Sequence, residues 1–352
     1  MTHSSQLRVV AIGGGTGLST LLRGLKRYTA APAGTLPLAD APPCLIHDLS
    51  AIVTVTDDGG SSGRLREDLN MLPLGDVRNC MVALSEDEYL LSRLFQHRFA
   101  HGDLQGHSFG NLFLAALTEI SGDFAQAVQS GSQILAARGR IYPSTTANAR
   151  LSARMHDGSI VQGETNITAS KQTITELMLE PAEALPLPET LDAIAAADLI
   201  TLGPGSLYTS LITNLLVRGI PEAIAASRAT RVYICNLMTQ ANESLGLTAA
   251  QHIEKILDHA RACGLRKDEQ IFDYAIINTA PIRPATVAQY AREGQSPIVA
   301  DLDRIRALGV EPIIGNFVHE GDVLRHAFDP LAEAVLHLAL EKKPLPVSTL
   351  SS

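Results

Sequence analysis

The 352-residue chain has no tryptophan, and aromatic residues make up only 4% of it. One common stacking residue is therefore missing, and no aromatic cluster accompanies the motifs described below. The four cysteines (Cys44, Cys80, Cys235 and Cys263) are scattered, with no C-x-x-C and no pair at metal-ligand spacing. This reads as small buried side chains in a reducing compartment rather than a disulfide framework or a zinc site. No N-terminal signal pattern is present, and no apolar stretch reaches membrane-spanning length; Asp198 interrupts the longest, near 193–202. A cytoplasmic protein without membrane insertion is the expectation. A net charge of −9 argues against wholesale nucleic-acid binding and leaves room only for local cationic sites.

What is present is concentrated in residues 54–66, Thr-Val-Thr-Asp-Asp-Gly-Gly-Ser-Ser-Gly-Arg-Leu-Arg, after an apolar run that reads as a buried strand. Glycines let backbone N–H groups converge on an anion, and Arg64 and Arg66 can pair with phosphate oxygens in bidentate fashion. Asp57 and Asp58 would either repel that anion or hold a divalent cation that bridges to it. The segment reads as a phosphate site.

A second clue lies at the N-terminus. Leu7–Ile12 is a short strand, Gly13-Gly14-Gly15-Thr16-Gly17 follows directly, and Leu18, Leu21, Leu22 and Leu25 have helical spacing. Strand, glycine turn and helix form the first half of a βαβ unit, whose helix start offers free N–H groups to a phosphate. The dinucleotide fingerprint is incomplete, because Leu18 stands where the third glycine belongs, and no Lys-Ser/Thr completes a P-loop. A nicotinamide-dependent oxidoreductase is disfavoured by the same gap and by the absence of a ribose-binding acid.

Helices are expected at Asn79–Leu84, Glu88–Arg98 and from Asn111. Short strands at Arg140–Ser144, Leu151–Met155, Ser159–Glu164 and Asn166–Thr168 suggest a small antiparallel insert over about 140–180. βα alternation then resumes with strands near 199–202, 231–235, 274–278 and 312–315. The expected fold is α/β: one Rossmann-like, doubly wound, mostly parallel sheet over 7–330, with the β-rich insert. Residues 1–6 and 342–352 are expected to be disordered tails, and 30–43 a long loop. Gly203-Pro-Gly-Ser206 follows a strand and should face the same crevice as the first glycine turn, although Ser206 would also serve as a helix cap. Asp76 is equally a cap or a ligand contact, whereas Arg78 beside it favours an anion. His97 and His101 have i,i+4 spacing but no third ligand for zinc.

Taken in order, Gly13-Gly-Gly-Thr-Gly, Thr56-Asp-Asp-Gly-Gly-Ser-Ser-Gly-Arg-Leu-Arg, Gly75-Asp-Val-Arg-Asn, His107-Ser-Phe-Gly-Asn, Gly203-Pro-Gly-Ser-Leu-Tyr-Thr-Ser and Asn236-Leu-Met-Thr-Gln resemble the bacterial gluconeogenesis-factor family (YvcK-like). That family falls within the superfamily of 2-phospho-L-lactate transferase (CofD). The resemblance implies a Rossmann-like core, a cytoplasmic homodimer, and binding of a UDP-sugar such as UDP-N-acetylglucosamine, in a regulatory role. That role links carbon-source adaptation to cell shape and wall-precursor supply through an unidentified protein partner. It also raises Arg325, in Leu324-Arg325-His326, to a ligand contact, although Ala327-Phe328 replaces the family pattern that follows. The expected contacts are Gly13, Gly14, Gly15, Thr16, Gly17, Thr56, Asp58, Gly60, Ser61, Ser62, Gly63, Arg64, Arg66, Asp76, Arg78, Asn79, His107, Asn111, Gly203, Gly205, Ser206, Asn236 and Arg325. Arg64 is the expected main cation for the diphosphate. No catalytic residue and no obligatory cofactor are expected, with Asp57 the candidate ligand for Mg²⁺. The alternative is the transferase branch, which moves a phospholactyl group from a guanosine diphosphate adduct to a deazaflavin with Mg²⁺.

Overall fold

A computed structural model describes residues 6–30, 42–86, 88–170 and 172–342. Along these residues the strands are β1 (Leu7–Gly13), β2 (Ile46–Val53), β3 (Arg140–Pro143), β4 (Arg150–Met155), β5 (Ile160–Gln162) and β6 (Ile174–Glu180). They continue as β7 (Leu199–Leu202), β8 (Thr230–Ile234), β9 (Tyr274–Asn278), β10 (Glu311–Gly315), β11 (Val318–Glu320) and β12 (Leu324–His326). Seven of them form one sheet in the order β10-β9-β8-β7-β1-β2-β3, every pairing parallel.

The central strands are apolar without alternation because both faces are covered. Leu7, Val9 and Ala11 of β1 enter one core, with the helices Gly15–Lys26, Gly75–Leu84 and Phe328–Lys342. Val10 and Ile12 enter the other, with helical segments Leu207–Ile212 and Ala249–Ala262. From β1 the sheet grows one way to β2 and β3; the chain then returns beside β1 as β7 and grows the other way. The reversal puts a topological switch point between β1 and β7. Crevices open there, beyond the carboxyl ends of the strands.

The antiparallel insert is narrower than 140–180. Its sheet is β5-β4-β6, whereas Arg140–Pro143 pairs in parallel with β2 and extends the main sheet. The strand expected at Asn166–Thr168 is instead inside the helix Glu164–Ala169. Asp58 accounts for that difference: its Oδ1 accepts from the Thr165 backbone N–H at 2.8 Å and from its hydroxyl at 2.7 Å, satisfying the helix start from 107 residues away. The expected tails and the loop at 30–43 fall mostly outside the described residues. Among the described residues no helix is long and apolar enough to cross a membrane.

Candidate functional site

β1 ends at Gly13, and the helix Gly15–Lys26 begins without a side-chain cap or an acidic residue in its first turn. Its dipole end therefore faces the crevice. The second glycine turn lies against it: a Cβ on Gly17 would stand 2.3 Å from the Pro204 carbonyl oxygen. Gly203, with φ of +96°, lets the turn leave β7, and its own Cβ would meet the Ile234 carbonyl at 2.8 Å. The Gly205 N–H donates to Asn236 Oδ1 at 3.3 Å, and Gln240 Nε2 donates to Ser206 Oγ at 3.0 Å. Between the turns opens a cleft of about 510 Å³, lined by Gly14–Gly17, Gly205, Ser206, Asn236, Gln240 and Arg325 among others.

Arg325 reaches this cleft because its neighbour is anchored. His326 is buried, and its Nε2–H donates to the Cys235 carbonyl at 3.1 Å. Burial pushes its pKa down to about 4, so the ring is neutral at neutral pH. The β11–β12 hairpin is thereby tied to the end of β8, leaving Arg325 exposed at the cleft rim.

A smaller cleft of about 270 Å³ adjoins the first and is lined by Asp57, Gly59–Ser62, Asp76, Arg78, Asn79 and Asn111 among others. Asp57 Oδ1 accepts from the Gly59 N–H at 2.9 Å. Burial, and then the charge of Asp57, push the Asp76 carboxyl up to about 7, against the pull of the Gly15 N–H and Arg78. Glu164, delivered by the insert helix, is raised well above the usual carboxylate range, first by burial and then by Asp76 and Asp57. Thr56 donates to it at 3.3 Å.

The two arginines of the 54–66 segment diverge from this arrangement. The segment is not one turn: Gly60–Leu69 is a helix, and residues two apart on a helix project roughly 200° apart. Arg64 Nη2 donates to the Gln105 carbonyl at 2.9 Å. Arg66 is buried, with Nε and Nη2 donating to Asn148 Oδ1 at 2.9 and 2.6 Å and Nη2 to the Ala149 carbonyl at 2.7 Å. Neither lines a cleft beside the glycine turns. Gly60, Ser61, Ser62, Arg78, Asn79 and Asn111 do line the smaller cleft, and His107 supports it through a 3.1 Å contact from Nδ1 to Ser61 Oγ. Arg78 is held by Ser108 Oγ at 2.7 Å and Asn111 Oδ1 at 3.0 Å.

Comparison with known proteins fits this geometry. A family profile described as 2-phospho-L-lactate transferase CofD matches residues 9–318. A gluconeogenesis factor of Halalkalibacterium halodurans is 47% identical over 344 residues, covering 97% of this chain and 98% of its own length. The gluconeogenesis factor of Bacillus subtilis is 44% identical over 336 residues, 95% of this chain and 98% of its own. The chain belongs to the gluconeogenesis-factor family, within the CofD superfamily. A crystal structure of a UPF0052 family member from Bacillus halodurans superposes with a TM-score of 0.84 at 47% identity, covering 96% of this chain and all of that one.

Within this family fold, Glu164 escapes sequence reading: it lines the larger cleft from a stretch with no glycine motif, whereas Thr209, Ser210 and Gln240, which line it too, fall within the Gly203–Ser210 and Asn236–Gln240 motifs. Glu243 fixes Tyr208 and Thr209 from below, accepting at 3.0 and 2.8 Å. Among the described residues no group of three or more His, Cys, Asp or Glu side chains is placed to hold a metal. Asp57 and Asp76 face one smaller cleft as a pair. Two carboxylates suit Mg²⁺, which keeps waters and completes its shell with ligand phosphates.

Proposed function

We propose that this chain is a regulatory nucleotide-sugar-binding protein that takes a UDP-sugar such as UDP-N-acetylglucosamine. The observation that carries this reading is the contact between the Gly13–Gly17 and Gly203–Ser206 turns at the switch point, with Arg325 on the rim. The diphosphate sits against Gly14–Gly17 and the start of the helix Gly15–Lys26, with Arg325 as its cation. Asn236, Gln240 and Ser206 present polar groups to the nucleoside or sugar. Arg325 replaces Arg64, which sequence reading had placed in this role. Ligand occupancy biases the β11–β12 hairpin, a surface that a protein partner reads in the cytoplasm, in a homodimer linked to carbon-source use and cell-wall supply.

A second reading, phospholactyl transfer, is favoured by one observation: the Asp57–Asp76 pair beside the helix start, which would hold Mg²⁺ and neutralise a diphosphate. Against it, among the described residues Tyr290 is the one aromatic ring besides His326 lining the larger cleft, and none lines the smaller cleft, where a deazaflavin would call for stacking partners.

Calorimetric titration with UDP-N-acetylglucosamine and with GDP, each with and without Mg²⁺, separates the two. Saturable binding of the UDP-sugar without turnover supports the sensor. Preference for GDP with strict Mg²⁺ dependence supports the transferase and contradicts the sensor.

A further inference from the structure

A third cleft, of about 630 Å³, runs along the other side of the helix Gly15–Lys26 and shares Thr16, Thr20 and Arg325 with the nucleotide cleft. Four guanidiniums line it, from Arg23, Arg78, Arg98 and Arg325, and among the described residues no carboxylate does. None of the four forms an ion pair among the described residues, whereas Arg138, Arg231 and Arg304 elsewhere each pair with an acid.

Two features separate this cleft from an ordinary solvated basic surface. Arg78 is 9% exposed, and its Nε, like that of Arg23, is buried without a hydrogen-bond partner. Burial and then the charge of Arg98 depress the pKa of Arg78, against the pull of Asp76 and Asp57, which face it from the smaller cleft. Like charges held together with unmet donors are costly unless an anion completes the arrangement.

We propose that this arginine cleft binds a second acidic group, a phosphate or a carboxylate, separate from the diphosphate held at the glycine turns. Arg325 touches both clefts, so the two groups sit on either side of one side chain. Such an acid belongs either to the nucleotide sugar itself or to a second small anion bound alongside it. The inference goes beyond the nucleotide reading and does not need it, because inorganic phosphate probes the cleft directly.

The test is calorimetry on the wild-type chain and on Arg23→Gln, Arg98→Gln and their double variant. Arg98 is exposed and among the described residues its side chain donates a single hydrogen bond, to the Gly106 carbonyl, so its variant keeps the test open should Arg23→Gln unfold the chain. Inorganic phosphate is expected to bind the wild type saturably, and each substitution to weaken it about tenfold. UDP-glucuronate against UDP-glucose then identifies the source. A tenfold preference for the glucuronate that disappears in the double variant places the acid on the nucleotide sugar. Equal affinity for the two sugars, with phosphate still binding the UDP-glucose-loaded protein, places it on a second molecule. Phosphate binding unchanged in the double variant, or no phosphate binding together with no glucuronate preference, overturns the proposal. Failure of every UDP-sugar to bind would sink the nucleotide reading alone, with the phosphate arm still deciding this one.

Discussion

Gly17→Ala places a methyl group between the two glycine turns on which the nucleotide cleft is built. The new Cβ would lie 2.3 Å from the Pro204 oxygen, 2.7 Å from its carbonyl carbon and 3.0 Å from the Gly205 nitrogen. The closest approach is about 1.1 Å short of the 3.4 Å at which ordinary contact begins. All three atoms are backbone, so no side-chain rotation relieves the overlap and one turn must move. Overpacking of this kind costs about 3 kcal/mol. In a chain of this length that lowers the melting temperature by roughly 4 °C. Gly13→Ala, four residues earlier, is the internal control: its nearest neighbour would be Leu18 Cβ at 3.5 Å, an ordinary contact, and its φ is not positive. It should be neutral or stabilising by up to about 1 kcal/mol through the unfolded chain. Urea denaturation of both variants gives the stability difference, and titration with UDP-N-acetylglucosamine gives the affinity. Gly17→Ala is expected to lose both stability and binding, and Gly13→Ala to keep its stability. If Gly17→Ala matched the wild type in both, the two turns would not be in contact and the cleft as described would be wrong.

Other substitutions divide binding from folding. Arg325→Ala, at an exposed side chain, should weaken UDP-sugar binding by about 2 kcal/mol, roughly 30-fold, in titration calorimetry while leaving the melting temperature unchanged. Arg66→Ala should do the reverse, destabilising the chain by about 2 kcal/mol in urea by leaving the buried Ala149 carbonyl without its donor. Asp76 carries a folded-state pKa of about 7 against 3.8, so the folded state holds its proton more tightly and stability falls as pH rises from about 4 to 7. Asp76→Asn removes that contribution, so its advantage over the wild type in urea should grow across this window and level off above it. His326, lowered from 6.5 to about 4, has the opposite sign: its contribution is present above pH 6.5 and lost as pH falls toward 4. Asp76 and His326 therefore tilt the pH–stability profile in opposite directions. If Mg²⁺ bridges Asp57 and Asp76 to the diphosphate, EDTA should weaken nucleotide binding to the wild type and not to Asp57→Ala.

The central strands of the sheet were readable because they are apolar on both faces, and the turns after β1 and β7 carry glycine. β1 and the turn after it show the clearest case: Val9, Val10 and Ile12 state the strand, and Gly13–Gly17 states where it ends. The insert was harder, because short polar strands and a short helix use the same residues. Asn166–Thr168 became helix through a bond from Asp58, which no local window contains. The site divides in the same way. Residues in glycine motifs were legible, since the backbone itself demands them. Arg64 and Arg66 were legible as cations but not in direction, because direction depends on Gly60–Leu69 being a helix rather than a turn. Arg23 and Arg98 were invisible: they join Arg78 and Arg325 only when two helices, the segment after Gln96 and a hairpin pack around one cleft.

The central claim is that a nucleotide diphosphate sits at the switch point between β1 and β7. A crystal structure of the chain with UDP-N-acetylglucosamine tests it most directly. The account predicts diphosphate oxygens within hydrogen-bond distance of the backbone N–H groups of Thr16 and Gly17 and of the Arg325 guanidinium. A diphosphate seated instead on Arg64 and the 57–63 loop, with the glycine turns empty, would contradict it.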